Sequence, residues 1–203
     1  EHVAFGFGWD KHSVRIERLE ESVRVIKKLW TENHVSYLGK HFQLKDATLE
    51  PKPFQKPHPP IWIGGNSLAI KGVVAEVGDG WIPVLPMAKQ IAKGLMEIQD
   101  GMKQFGRDPE SLQVAYGGSG CVAIAENEEL VKKLAEPLVR SMGKPLEELT
   151  CLVGTPEQCV QKIEQYQRAG AQKIVGGFYD FPSLDRMRLF AKEVFPHFSD
   201  RKH

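Results

Sequence analysis

The sequence has almost no net charge, few cysteines and no long apolar run. Its 203 residues contain 27 Lys and Arg against 26 Asp and Glu, a formal charge of +1, which argues against nucleic acid as the main partner. Its three cysteines show no C-x-x-C spacing, which suits a reducing compartment. The apolar runs are far shorter than the roughly 20 residues that cross a bilayer. We therefore expect a cytoplasmic protein without a membrane or nucleic-acid partner.

Motifs for several chemistries are also missing. The seven histidines show no H-x-H or H-E-x-x-H spacing, so we expect no metal site and place these histidines at the surface or at interfaces. No Gly-Lys-Ser/Thr sequence is present, and neither glycine-rich segment, 6–8 or 117–120, has the context of a dinucleotide-binding fold. Segment 117–120 also lacks G-x-S-x-G. Hydrolase chemistry is thus disfavoured, and the sequence identifies no catalytic residue.

The first sixty residues differ in organisation from the rest. Apolar residues three and four apart predict a helix over about 14–30, capped by Ser13. Alternating residues around the glycine turn 38–40 predict an antiparallel hairpin. The connector 51–60 is too rich in proline for a helix or a central strand, so it should run extended over the surface. We interpret residues 34–60 as an insertion made of this hairpin and this proline-rich connector.

From Pro60 onward, short apolar strands alternate with helices. The predicted strands are 61–63, 81–84, 112–116 with a continuation through 121–124, and 173–178. A further helix should start at Thr155-Pro156-Glu157-Gln158, which has the pattern of a capping box. Strands that are apolar on both faces and separated by helices indicate an α/β fold with a parallel sheet, either doubly wound or closed as a (β/α) barrel. The four strand–helix units would fill half of an eight-unit barrel.

One turn of this region is a candidate anion site. The strand 61–63 ends at Gly64 and Gly65, and a helix begins within a few residues. Glycines let a ligand approach the backbone, and a helix N-terminus offers N–H groups and a favourable dipole. Asn66 and Ser67 could add side-chain donors to a phosphate. An ordinary tight turn with an Asn or Ser cap explains the same four residues equally well, so both interpretations stay open. We interpret Trp81 as a core residue beside a turn.

A series of short motifs runs through nearly the whole chain. They are Arg15-x-x-Arg18-Leu19-x-Glu21, Lys28-Leu29-Trp30-Thr31, Val35-Ser36-Tyr37-x-Gly39-Lys40, Pro51-Lys52-Pro53-x-Gln55, Pro59-Pro60-Ile61-Trp62-Ile63-Gly64-Gly65-Asn66-Ser67, Gly78-Asp79-Gly80-Trp81, Gly106-Arg107-Asp108-Pro109, Gly154-Thr155-Pro156-Glu157-Gln158 and Phe190-Ala191-x-Glu193-Val194-x-Pro196. In this order they resemble the bacterial luciferase-like monooxygenase family. That family contains FMN-dependent monooxygenases and deazaflavin-dependent oxidoreductases.

The resemblance implies a (β/α)8 barrel with its cofactor at the C-terminal ends of the strands. It implies FMN, or alternatively a deazaflavin coenzyme, whose phosphate end is held by Gly64, Gly65, Asn66 and Ser67, and a small-molecule substrate. The cofactor would supply the hydride or oxygen chemistry. The family's first four βα units have no counterpart here. We therefore expect residues 1–203 to form a single domain, the C-terminal half of a barrel, which associates with a missing N-terminal half or forms a homo-oligomer.

Three functions remain open at this point. The chain belongs to a flavin- or deazaflavin-dependent oxidoreductase that is active only as a complete protein, or it is a non-catalytic flavin-binding protein, or it is a fragment that binds no cofactor. The motifs specify neither a substrate nor a catalytic residue.

Overall fold

Strands and helices alternate along this chain, as the sequence predicts. The computed structural model describes residues 2–6, 8–178 and 182–199. The helices are α1 His12–Thr31, α2 Leu68–Val77, α3 Ala88–Gln104, α4 Glu128–Met142, α5 Pro156–Arg168, α6 Asp185–Glu193 and α7 Pro196–Ser199. The strands are β1 Val35–Leu38, β2 Gln43–Ala47, β3 Trp62–Gly64, β4 Gly80–Ile82, β5 Gln113–Ile124, β6 Leu152–Gly154 and β7 Lys173–Phe178. Two short 3₁₀ helices, Pro109–Ser111 and Leu146–Glu148, complete the described elements.

The chain divides into two compact units. The first consists of Glu1–Trp81 and Glu97–Leu112, and the second of Ile82–Met96 and Gln113–His203. The expectation that residues 1–203 form one domain stays a prediction. Among the described residues, no helix has the length and apolar character needed to cross a membrane.

In the first unit, β3 and β4 are hydrogen-bonded neighbours, and β1 pairs with β2 as a separate antiparallel hairpin. Helix α2 is buried in its second half, whereas Leu68, Ala69 and Gly72 in its first half are exposed. Its buried side chains are Val73, Val74, Ala75 and Val77. Ser67 caps α2 at its start and Gly78 ends it. The bounds of this helix therefore match the local signals in the sequence.

In the second unit, β5 pairs in parallel with both β6 and β7. Val122 of β5 is paired in register with Leu152 of β6 and with Phe178 of β7. The pairing with β7 shifts register between Gly117 and Cys121, which lets one long strand continue through the predicted glycine-rich segment. These parallel pairs and their intervening helices confirm the predicted α/β fold with a parallel sheet.

Two local predictions were wrong. Helix α1 begins at His12, so Lys11 is its N-cap and makes no side-chain cap bond. Ser13 lies inside the first turn, because the N–H of Arg15 already donates to the carbonyl of Lys11 at 3.1 Å. The histidines are not all at the surface either, since the His41 and His58 side chains are only 9% and 12% exposed.

A carboxylate of α1 binds the turn of the β1–β2 hairpin. The Glu21 side chain accepts hydrogen bonds from the backbone N–H groups of Lys40, His41 and Phe42 at 2.7, 2.9 and 3.0 Å. Gly39 leaves room for this carboxylate, because a Cβ there would lie 2.5 Å from Glu21 Oε2 and would displace it. The two motifs around Glu21 and Gly39, which are far apart in sequence, therefore meet in one contact.

Glu17 strengthens the same contact. Its carboxylate lies 2.6 Å from Lys40 Nζ and 3.0 Å from His41 Nε2, and these side-chain hydrogen bonds lower the pKa of Glu17 below its ordinary 4.5. Burial opposes the charge of Glu21, but the N–H bonds from His41, Lys40 and Phe42 outweigh it and lower the pKa of Glu21 as well.

Acidification is expected to release the hairpin turn from α1. Because the folded pKa values of Glu17 and Glu21 lie below 4.5, their contribution is complete above that pH and is lost as pH falls through the lower folded values. Hydrogen-exchange protection of the Lys40, His41 and Phe42 amides should decrease over that range. Glu21→Gln should reduce this protection at neutral pH and flatten its pH dependence.

Glu20→Gln is the matched control, because Glu20 pairs with Arg24 within α1 and not with the hairpin. Equal protection of the three amides in the Glu21→Gln and Glu20→Gln variants at every pH would contradict this role of Glu21.

Candidate functional site

The four residues predicted to bind a phosphate form one turn between β3 and α2. Gly64 ends β3, and Ser67 caps α2 by accepting the N–H of Ile70 at 3.2 Å. Gly65 has φ +132°, and a Cβ there would lie 3.2 Å from Ile70 Cγ1. An L side chain at Gly65 would therefore be strained by the backbone conformation and crowded by its neighbour. The structure brings Gly64, Gly65, Asn66 and Ser67 together.

The α2 N-terminus has donors available for an anion. The N–H groups of a first helical turn have no acceptor within the helix. Here Ile70 donates to the Ser67 side chain and Lys71 makes the first intrahelical bond, to the Ser67 carbonyl at 3.0 Å. Within the part of the chain that the structure describes, this leaves the N–H groups of Leu68 and Ala69 for a ligand. The first turn contains no acidic residue, so the partial positive charge of this helix end is not neutralised from within. The residues present therefore fit a phosphate.

The β6–α5 turn looks similar in sequence but differs in chemistry. Gly154 has φ +152° and is followed by Thr155, which forms the predicted capping box with Gln158. Glu157 lies in the first turn, and hydrogen bonds from its own backbone N–H and from the Thr155 hydroxyl lower the pKa of the Glu157 carboxyl. This helix end already has an anion of its own, so it is a poorer phosphate site than the turn at 64–67.

Trp81 holds the Gly65 carbonyl of the candidate turn in place. Its side chain is 2% exposed, in agreement with its interpretation as a core residue, and its Nε1–H donates to the Gly65 carbonyl at 2.8 Å. A Cβ on the preceding Gly80 would collide with the Trp62 ring. Sequence reasoning did not identify this hydrogen bond, although the Gly78–Trp81 motif contains the residue.

Asp79 links the residue before β3 to helix α1. Its carboxylate accepts the N–H of Ile61 at 2.9 Å and pairs with Lys27 Nζ at 2.8 Å. The residue just before β3 is therefore held by a side chain from the turn before β4. Lys27, which has no evident role in the sequence, is the α1 partner in this contact.

Arg107 holds the other end of α2. Its guanidinium donates to the carbonyl groups of Val74, Ala75 and Gly78 at 3.0, 2.8 and 2.5 Å. A cation at a helix C-terminus satisfies carbonyl groups that have no partner in the helix and complements the dipole. The Gly106–Pro109 motif thus supports the helix whose first turn forms the candidate site.

Arg107→Lys is expected to reduce the free energy of unfolding by about 2 kcal/mol, because one ammonium cannot replace a planar fork that reaches three carbonyl groups. Urea denaturation measures this change. Arg140→Lys is the control, since the Arg140 side chain is exposed and pairs with Glu136 within α4, and its change should be about 0.5 kcal/mol or less. Equal changes in the two variants would contradict a supporting role for Arg107.

Among the described residues, no group of three or more His, Cys, Asp or Glu side chains is placed to hold a metal ion. The glycine-rich segment 117–120 lies within β5, and its first residue, Gly117, pairs with Val175 of β7.

The chain belongs to the luciferase-like monooxygenase family, whose sequence profile matches residues 1–148. This confirms the resemblance given by the short motifs. The fold, the motifs and the profile all define the same class of protein.

Two characterised relatives illustrate the chemistry found in this family. An FMNH2-dependent dimethylsulfone monooxygenase of Pseudomonas putida is 25% identical over 229 aligned positions, covering 97% of this chain and 62% of that protein. An F420-dependent glucose-6-phosphate dehydrogenase of Microbacterium testaceum is 27% identical over 225 positions, covering 98% of this chain and 66% of that protein. The chain therefore spans a little under two thirds of the length of each.

A solved structure shows the same fold. The coenzyme F420-dependent tetrahydromethanopterin reductase of Methanopyrus kandleri superimposes with a TM-score of 0.74 at 20% identity, covering 90% of this chain and 63% of that one. The predicted fold, part of a barrel of the luciferase-like type, is confirmed by this similarity.

Proposed function

We propose that this chain forms the part of a flavin-type oxidoreductase that binds the phosphate end of the cofactor, at Gly64, Gly65, Asn66 and Ser67. The observation that supports this most is the open N-terminus of α2. Its first turn has N–H groups available and no acidic residue, and it follows a glycine whose φ of +132° would strain any other residue. In a family of cofactor-dependent enzymes, such a turn suits the cofactor phosphate.

The chain's own residues would act through position and charge. The N–H groups of Leu68 and Ala69 donate to the phosphate, the α2 dipole stabilises its charge, and Trp81 keeps the Gly65 carbonyl turned into the protein. A bound flavin or deazaflavin supplies the redox chemistry, and the protein orients it and excludes water.

FMN is the first candidate cofactor and a deazaflavin coenzyme is the alternative. Relatives named for each are similarly distant from this chain, at 25% and 27% identity. The site at 64–67 would bind the phosphate that the two cofactors have in common, so it does not choose between their rings.

Activity would require a partner. In the part of the chain that the structure describes, β3 pairs only with β4 and β7 pairs only with β5, and a strand with an unpaired edge is suited to pairing with a further strand. We expect association with a complementary N-terminal barrel segment or with a second copy. The substrate would be a small molecule, as in the two named relatives.

Titration with FMN, riboflavin and F420 tests the phosphate assignment. FMN and riboflavin have the same ring and differ in the phosphate, so FMN should bind about tenfold tighter or more, given charge-assisted hydrogen bonds from two N–H groups. Thr155→Ala is the control, because Thr155 lies in the β6–α5 turn, whose helix end already carries the Glu157 carboxylate. This variant should leave the FMN affinity unchanged. Equal affinities for FMN and riboflavin would contradict the site, and binding of none of the three compounds would favour a fragment without a cofactor.

A further inference from the structure

The second unit contains a cavity of about 560 Å³ between its sheet and its helices. Ile174, Gly176 and Phe178 line it from β7, where alternate residues point to one face, and helices α5, α6 and α7 line it from the other side. It shares no residue with the turn at 64–67. The cavity is partly open to solvent, and its volume is large enough for a small molecule.

The lining of this cavity is apolar and aromatic. Four of its side chains are phenylalanines, namely Phe178, Phe190, Phe195 and Phe198. Among the described lining residues, the only side chains with hydrogen-bonding groups are the amides of Gln167 and Gln172, and none is charged. A charged ligand would lose its hydration there without gaining a counter-charge, which is strongly unfavourable. The part of the lining that the structure describes therefore favours a neutral molecule.

The aromatic rings also indicate the shape of the occupant. Phe178 and Phe190 meet edge to face, with their centroids 5.7 Å apart and their planes at 72°, so a flat ligand can meet both the face of one ring and the edge of the other. Phe195 is 60% exposed although it lines the cavity. An apolar ring held at the mouth of an apolar cavity would be covered by a ligand that enters.

We propose that this cavity is a binding site for a neutral, largely apolar molecule with one or two aromatic rings. Its volume lies within the range of about 300–1,000 Å³ found for small-molecule pockets, which combine an apolar lining with a few polar groups. The Gln172 amide is held to the strand by its Oε1, which accepts the Val114 N–H at 2.5 Å, and it gives the site a fixed polar edge. This proposal does not depend on the proposed cofactor site.

Titration with N-phenyl-1-naphthylamine, a neutral probe with a fluorescence that rises in apolar surroundings, tests the proposal. We expect saturable binding of one probe per chain with a Kd on the order of 100 µM or tighter. Ile174→Trp fills part of the cavity and should weaken binding by about tenfold or more, since overfilling an apolar pocket forces the ligand out.

Val175→Trp is the matched control. Val175 is the next residue of the same strand, points to the opposite face and is 51% exposed, so the added indole should leave the Kd unchanged. Equal weakening by both variants, or non-saturable binding, would overturn the proposal. So would probe binding that falls as the chain associates with itself, because a second copy would then be what covers the cavity.

A measurement on the unaltered chain guards against a variant that fails to fold. Titration with toluene, followed by methyl NMR, should shift the signals of Ile163, Ile174, Leu152 and Val122, which line the cavity. The methyl groups of Val175 and Val84, which are half-exposed elsewhere in the unit, should not move. Shifts spread over both groups would overturn the proposal.

Discussion

Replacing Gly65 with valine should weaken FMN binding by about ten- to a hundredfold, because a β-branched residue at a positive φ costs roughly 1–3 kcal/mol and shifts the backbone. Gly65 has φ +132°, and its Cβ would press on Ile70, whose N–H the Ser67 side chain accepts. The whole turn, with the N–H groups that follow it, should therefore move away from its binding geometry. Isothermal titration with FMN measures the loss.

Gly143→Val separates this local effect from general destabilisation. Gly143 also has a positive φ, +60°, but it caps the end of α4 and has open space around it. That variant should lose stability and retain the FMN affinity of the unaltered chain. Equal dissociation constants for the unaltered chain and the Gly65→Val variant would remove the site assignment.

The second large effect concerns turnover by the 203-residue chain alone. Barrel enzymes draw their catalytic residues from the ends of several strands around the ring, and the chain spans only 62% of the length of its P. putida relative. A displacement of 1 Å at a catalytic site already costs about a hundredfold in rate. We therefore expect the chain to show about 1% or less of the activity of a complete family member.

The assay supplies reduced FMN with oxygen and an aldehyde, or reduced F420 with candidate acceptors. The P. putida enzyme with dimethylsulfone is the positive control, and the same enzyme shortened to the segment that matches this chain is the matched control. If the present chain and a longer form that includes a complementary N-terminal segment turned over at comparable rates, the catalytic residues would lie within residues 1–203 and the proposed need for a partner would be wrong.

The parts of the fold that the sequence predicted depend on local signals. Helix α2 has its cap at Ser67 and its stop at Gly78, and helix α5 has its capping box at Thr155 and Gln158. Each signal lies within a few residues of the feature it specifies. The candidate turn at 64–67 is local in the same sense, so its geometry could be anticipated from a strand that ends in two glycines.

The contacts that the sequence did not reveal join residues far apart in the chain. The Trp81 side chain donates a hydrogen bond to the Gly65 carbonyl, and the Asp79 carboxylate accepts one from the Ile61 N–H. The Arg107 side chain donates to the carbonyl groups at the end of α2. The residue types were visible in the motifs, but nothing in a single sequence states which carbonyl a given side chain reaches. The family motifs thus contain the residues that make these hydrogen bonds, and the structure identifies their partners.

The prediction that Ser13 caps α1 was wrong although it rested on a local signal. A serine just before an apolar helical stripe is a normal cap signal, but the helix begins two residues earlier than predicted, at His12, with Lys11 as its cap. Helix ends are often uncertain by one or two residues for this reason.

Backbone amide NMR of the chain titrated with FMN and with riboflavin tests the central claim most directly. If the turn at 64–67 and the first turn of α2 bind the phosphate, FMN will shift the amide signals of Gly65, Leu68 and Ala69, and riboflavin will leave them in place. The amide signals of Thr155 and Glu157, in the β6–α5 turn, will not shift with either compound. Identical shifts with FMN and riboflavin, or FMN shifts centred at Thr155 with none at residues 64–69, would contradict the claim.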